Sequence, residues 1–298
     1  MNGPVILYSL ISVMVLLWSA NFIIGKVALR EFPPFLLSAL RIGLAAAFLA
    51  PVYWLQSRAA RVGPNLRAHL PWLLLLSACS VGNQILFLVG LNRTSVGHSA
   101  IIIGMGPIFV LLIGAAARIE RITTRKVIGM LVALAGVAVL VRPTYSGPMA
   151  SHTFAPSTLA GDALVALASL AFSVFAVFGK KATELYSPIA MNAFAYSAGA
   201  LALLPFAVWQ AREFTFSRVS STGWASLTYM AVFPSAVCYI IYYYALSHIA
   251  PSRVSAFTYL QPLIATLLAV LFLDERVTAH LVAGGTVIFS GVYLAERG

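Results

Sequence analysis

Charge is scarce in this chain, and acid is scarcer than base. Of 298 residues, 8 are Asp or Glu and 19 are Lys or Arg, so 9% are charged while 61% are hydrophobic. A soluble domain of this size lacks the polar surface to cover such a core. Cysteine is nearly absent: Cys79 and Cys238 both lie in apolar runs, which excludes a disulfide framework and reads as buried thiols acting as small hydrophobes. The five histidines are scattered, so no metal site is expected. HExxH, GxSxG, a Walker loop and GxGxxG are all missing, which removes the common hydrolase, nucleotide-driven and dinucleotide classes and leaves no cofactor to expect.

What fills the chain instead is long apolar stretches. Residues 1–25, 70–92, 185–211 and 219–247 hold no charged residue. Each reaches the roughly 20 residues that cross a ~30 Å hydrocarbon core. Weaker runs complete a reading of ten helices near 4–29, 34–56, 71–91, 95–117, 126–142, 161–181, 188–211, 223–246, 252–273 and 279–296. The N-terminal run lacks a basic leader and is too long for a signal peptide, so it is read as the first helix.

The second half repeats the first. At an offset of 154, Trp18-Ser19 falls on Phe172-Ser173, Gly25-Lys26 on Gly179-Lys180, Pro34 on Pro188 and Pro51 on Pro205. At 155, Pro107 meets Pro262, Glu120-Arg121 meets Glu275-Arg276, and Gly129 and Gly136 meet Gly284 and Gly291. Five helices per copy is an odd number, so the second copy enters the membrane from the opposite side. The expectation is an all-α membrane protein: residues 1–142 form one five-helix repeat, 143–160 a Pro/Ser/Thr-rich linker, and 161–298 the inverted second repeat, around a central cavity.

A net charge of +11 is explained by the positive-inside rule better than by nucleic acid, which is not expected as a partner. With the N-terminus in the cytoplasm, eleven cations fall inside and six outside, which places both termini in the cytoplasm. The excess of arginine over lysine points to a GC-rich bacterial genome, and the expected location is a bacterial inner membrane. The expected partners are the bilayer and a small-molecule solute.

Polar residues in hydrocarbon turn inward, because a lipid-facing amide costs several kcal/mol. That singles out Trp18 and Asn21 in helix 1, Asn83 and Gln84 in helix 3, Phe172 in helix 6, Tyr239 and Tyr242 in helix 8, and Tyr259 and Gln261 in helix 9 as solute contacts. The alternative for each is ordinary interhelical hydrogen bonding. Arg41 has no acidic neighbour in its helix and no counterpart in the repeat; it snorkels, pairs with helix-end carbonyls or meets an anionic solute. Pro107 and Pro262 lie mid-helix at matching places, which expects paired kinks acting as hinges. Lys26 and Lys180 end helices 1 and 6; they serve the helix macrodipole or gate the two cavity mouths. Gly129/Gly136 and Gly284/Gly291 permit close approach of helices, within the chain or in a homodimer. No Asp or Glu lies in mid-membrane, so the usual carboxylate relay for proton coupling is missing.

The Trp18-Ser19-Ala20-Asn21-Phe22 element, Arg41 in LSALRIGLAAAFL, the helix 4 and 9 prolines and the Glu-Arg pairs before helices 5 and 10 resemble the drug/metabolite transporter superfamily, specifically its EamA-type exporters. The resemblance implies a ten-helix basket, alternating access, no catalysis, and export of amino acids, related metabolites or drugs. Ser19 departs from the glycine that many relatives carry there. The alternatives are a cationic-compound exporter of the same fold and, from another class, a membrane-embedded lipid-modifying enzyme or a channel.

Overall fold

The computed structural model describes residues 3–59, 66–94, 96–140, 159–272 and 279–298. The expected Glu275-Arg276 pair, Arg142, most of the linker and the side chain of His98 lie outside the described residues. Among the described residues there are helices and no strands.

The helices are α1 (Gly3–Ala28), α2 (Pro34–Ala59), α3 (Leu66–Arg93), α4 (Val96–Gly104), α5 (Gly106–Ala116), α6 (Thr124–Leu140), α7 (Leu159–Ala182), α8 (Pro188–Glu213), α9 (Ser221–Met230), α10 (Cys238–His248), α11 (Pro251–Ala256), α12 (Leu260–Phe272) and α13 (Ala279–Glu296). Six are long and apolar enough to cross a membrane, counting Ser221–His248 as one. Ile101–Ala116 and Leu281–Glu296 are shorter apolar helices. Their starts follow from the chain: Pro188 and Pro251 sit in first turns, where no amide bond is lost, and the Ser187 and Ser220 hydroxyls accept from Ala190 N at 3.2 Å and Gly223 N at 3.1 Å.

The bundle is apolar outside and polar within. On α8, Leu201, Phe206 and Trp209 face outward while Asn192 and Tyr196 are fully buried. Helices of the two halves pair side by side: α6 along α13, α3 along α7, α2 along α8. Glycine makes the first pair possible. A Cβ at Gly291 would lie 2.3 Å from Ala133 N, and one at Gly129 would lie 2.4 Å from Ala295 N. Gly136 and Gly284 make the same approach, 2.7 Å from Ile288 N and 3.0 Å from Gly136 O. All four glycines are thus used inside one chain, and none is left to form a homodimer seam.

Two lysines tie the helix ends. Lys26 Nζ donates to Leu91 O at 2.5 Å and Thr94 O at 3.2 Å; Lys180 Nζ donates to Leu246 O and, at 3.4 Å, to Ile249 O. Each lysine closes the carbonyl end of a neighbouring helix, not of its own, and the two devices sit at opposite ends of the bundle. Carboxylates do the converse: Glu31 takes Ser220 N and Oγ, both at 2.7 Å, at the start of α9, and Glu120 takes Ser252 N at 2.8 Å in α11. Glu120 is also paired with Lys126 at 3.0 Å, both side chains being buried.

Replacing Gly291 with alanine should lower stability by about 1–3 kcal/mol, the usual cost of overpacking, whereas Gly43→Ala, whose Cβ meets nothing within 4 Å, should be neutral or stabilising. Thermal unfolding in detergent separates the two. Lys26→Met and Lys180→Met should each cost about 1.5 kcal/mol, the low end for hydrogen bonds to a charged group because both lysines are half-buried.

Candidate functional site

Three interruptions open the middle of the bundle. The expected helix over 95–117 stops at Met105, and Pro107 stands in the first turn of α5. The expected helix over 252–273 passes through a 3-10 turn, Phe257–Tyr259, before Pro262 enters the first turn of α12. Both prolines therefore begin new helices where a kink within one helix was expected. The third break has no mate in the first half: α9 and α10 are joined by a π-helical segment, Ala231–Val237, containing Pro234 and Ser235. Such segments free backbone carbonyls, and Trp18 Nε1 donates to Pro234 O at 3.2 Å.

Around these breaks lies a chamber holding about 110 Å³ of space open to water-sized molecules. At ~10–15 Å³ for each water, that is room for roughly seven to eleven. Of the solute contacts expected from sequence, Trp18, Asn21, Arg41, Asn83, Gln84, Phe172, Tyr239 and Gln261 form its walls, together with Pro107. Tyr242, Tyr259 and Pro262 lie outside the wall: both tyrosines are fully buried, Tyr242 behind Phe172 and Tyr259 against Gly104. Lys26 and Lys180 are also off the chamber, engaged at the helix ends as described.

The polar wall divides into groups already used and groups left over. Gln84 is used up: Nε2 donates to Tyr196 Oη at 2.7 Å and Ser80 O at 3.2 Å, and Oε1 accepts from Ser235 Oγ at 3.1 Å. Asn83 Nδ2 donates to Ser80 O at 2.5 Å and Tyr239 Oη at 3.1 Å. These two hold α3 against α8 and α10. Asn21 and Gln261, by contrast, make no side-chain hydrogen bond among the described residues, and Asn21 Oδ1 is a buried acceptor with no partner there. Arg41 is 3% exposed, so it does not snorkel; its Nε donates to Ser235 Oγ at 2.7 Å.

Aromatic rings close one side. Trp18 meets Phe172, Tyr239 and Tyr242 with centroids 5.9, 5.8 and 5.7 Å apart, and Phe175 packs on Tyr242 and Tyr243 at 6.0 and 5.2 Å. Phe22 and Phe87, edge to face at 5.5 Å, also line the chamber. No group of three or more His, Cys, Asp or Glu able to hold a metal occurs among the described residues. Cys79 and Cys238 are free thiols.

Ser235 and Tyr196 were not anticipated from sequence. A Pro-Ser step inside the apolar run AVFPSAV was a legible signal for Ser235. Tyr196 carried none, since its place in the repeat falls on Ile42.

A solved crystal structure shares this architecture, with a TM-score of 0.76 at 18% identity, covering 97% of this chain and 95% of that one. An uncharacterized transporter of Archaeoglobus fulgidus is 29% identical over 96% of this chain and 95% of its own length. A probable terminal-alkyne amino-acid exporter of Streptantibioticus cattleyicolor is 26% identical, covering 95% of this chain and 91% of its own. The EamA-like transporter family matches residues 5–142 and 159–296, nearly the whole sequence. Repeated match, helical architecture and inward-turned polar wall agree: this is a multi-pass membrane protein, and the chain belongs to the EamA-like transporter family.

Proposed function

We propose that this protein is a secondary transporter that exports a small organic metabolite, an amino acid or a related polar or amphipathic compound, by alternating access. Ten spans are arranged as two inverted five-helix units, 1–142 and 161–298, in a bacterial inner membrane. Both termini are cytoplasmic; the cluster of Arg125, Lys126, Arg253 and Arg297 at one end of the bundle supports that orientation. The observation that carries the reading is the central chamber with polar groups unspent by the fold, Asn21 and Gln261, set among aromatic walls. A structural polar group in a bundle finds a partner; one that does not, and faces a chamber, is free for solute. The exporter among its relatives, named for an amino acid, supports the solute class. The broken α4–α5 and α11–α12 segments give the two units places to flex.

Counterflow of labelled amino acids into proteoliposomes tests this. Uptake should saturate and be stimulated by solute on the far side; a linear, unsaturable leak would point to a channel. Asn21→Ala and Gln261→Ala should lower counterflow at least tenfold with thermal stability at the wild-type level, and unchanged flux in both refutes the chamber as the solute path. Gln84→Ala should behave differently, losing about 1–3 kcal/mol of stability because Tyr196 and Ser235 lose their partner.

A further inference from the structure

Arg41 is the one charged residue among those described in the chamber wall. It stands about two turns into α2, roughly 10 Å from the helix start at 1.5 Å per residue. The guanidinium keeps its charge under all ordinary conditions. Burying it away from both water and a counter-charge is unfavourable, so a compensating anion is expected nearby. Among the described residues the protein does not provide one: the chamber wall contains no Asp or Glu, and the only hydrogen bond of Arg41 is from Nε to Ser235 Oγ. Ser235 is itself fixed, its single O–H shared between Gln84 Oε1 and Met230 O. The fork is thereby oriented by the π-helical segment while its two terminal nitrogens, four N–H donors, are committed to nothing among the described residues.

We infer that Arg41 is the anchor for a carboxylate on the solute, so that the carrier takes small organic monoanions or zwitterions with an apolar body and discriminates against cations. This rests on the reading of the chamber as the solute site, and names the chemistry it selects. Two parallel N–H···O bonds from a guanidinium match the planar carboxylate. The unpartnered Asn21 Oδ1 and the free amide of Gln261 receive an amino or hydroxyl group on the same molecule. The rings of Trp18, Phe22, Phe87 and Phe172 cover its apolar part. An amine lacking the carboxylate meets the uncompensated positive charge of Arg41 and no acid to balance its own. At ~5 Å and an effective dielectric of ~20, that repulsion weakens binding on the order of a hundredfold. The same chamber therefore decides against an exporter of cationic compounds.

The test uses the full chain purified in detergent and four probes of one shape: 3-phenylpropionate, L-phenylalanine, L-phenylalaninamide and phenethylamine. Binding is read by isothermal titration and by tryptophan fluorescence. The two acids should bind at least tenfold more tightly than the amide and the amine. Arg41→Gln should erase that preference, and Arg41→Lys, which keeps charge without the fork, should retain part of it. Wild-type protein alone suffices if a variant misfolds: an amide or amine bound as tightly as the acids, or neither acid bound, overturns the assignment. Counterflow of the acid that binds keeps the two readings apart. Acid-selective binding without counterflow supports the anchor and refutes the carrier; counterflow with no preference for acids refutes the anchor and keeps the carrier.

Discussion

Hydrocarbon offers no hydrogen bonds, so a polar group in a membrane-embedded bundle is costly unless protein, water in a cavity or a ligand answers it. That constraint organises this molecule. Leu201, Phe206 and Trp209 are spent on the outer surface, while Asn83, Gln84, Asn192, Tyr196 and Ser235 are buried and joined to one another or to backbone. Once those bonds are assigned, the groups left over in the chamber wall are Asn21 Oδ1, the Gln261 amide and the terminal nitrogens of Arg41. Groups that the fold does not use, gathered in one chamber wall, are what supports the proposed solute site.

The same device appears twice where it holds the scaffold and once where it shapes the chamber. Lys26 and Lys180 stand 154 residues apart and close corresponding carbonyl ends on α3 and α10. Gly129 and Gly136 meet Gly284 and Gly291 face to face. Arg41, which falls on Ala195, and the π-helical segment have no such mates. Duplication supplies a symmetric frame, and a solute that is not symmetric has to be met by residues that differ between the halves. Selectivity is accordingly to be sought at positions where the repeat is broken.

Sequence made the frame readable and the bonding within it only partly so. Apolar length located the helices, because an uncharged run of about 20 residues matches the thickness of a bilayer and exceeds what a soluble core asks of one helix. The internal repeat flagged Pro107 and Pro262 as matched irregularities, yet both turned out to start helices after a break. A proline fixes its own φ and removes one donor, and it does not say whether the chain bends or restarts. The π-helical turn was invisible beyond its Pro-Ser step, since its register depends on Trp18 and Arg41 from other helices. Asn83 and Gln84 looked like solute contacts; both do line the chamber, but their amides are consumed by Tyr239, Tyr196 and Ser235. Whether an inward amide is used or free is decided by neighbours 100 or more residues away, and composition cannot report it.

The aromatic side of the chamber is packed at a cost in hydrogen bonding. Phe172, Phe175, Tyr242 and Tyr243 pack ring against ring, and the hydroxyls of Tyr242 and Tyr243 are buried with no partner among the described residues. Each such hydroxyl costs about 1–3 kcal/mol. A phenylalanine in their place would seal equally well and hold more firmly. Tyrosine makes this packing shallower, because separating the rings returns two hydroxyls to water. A seal whose closure is opposed by its own side chains suits the proposed alternating access, in which a carrier has to leave each of its states on the timescale of transport.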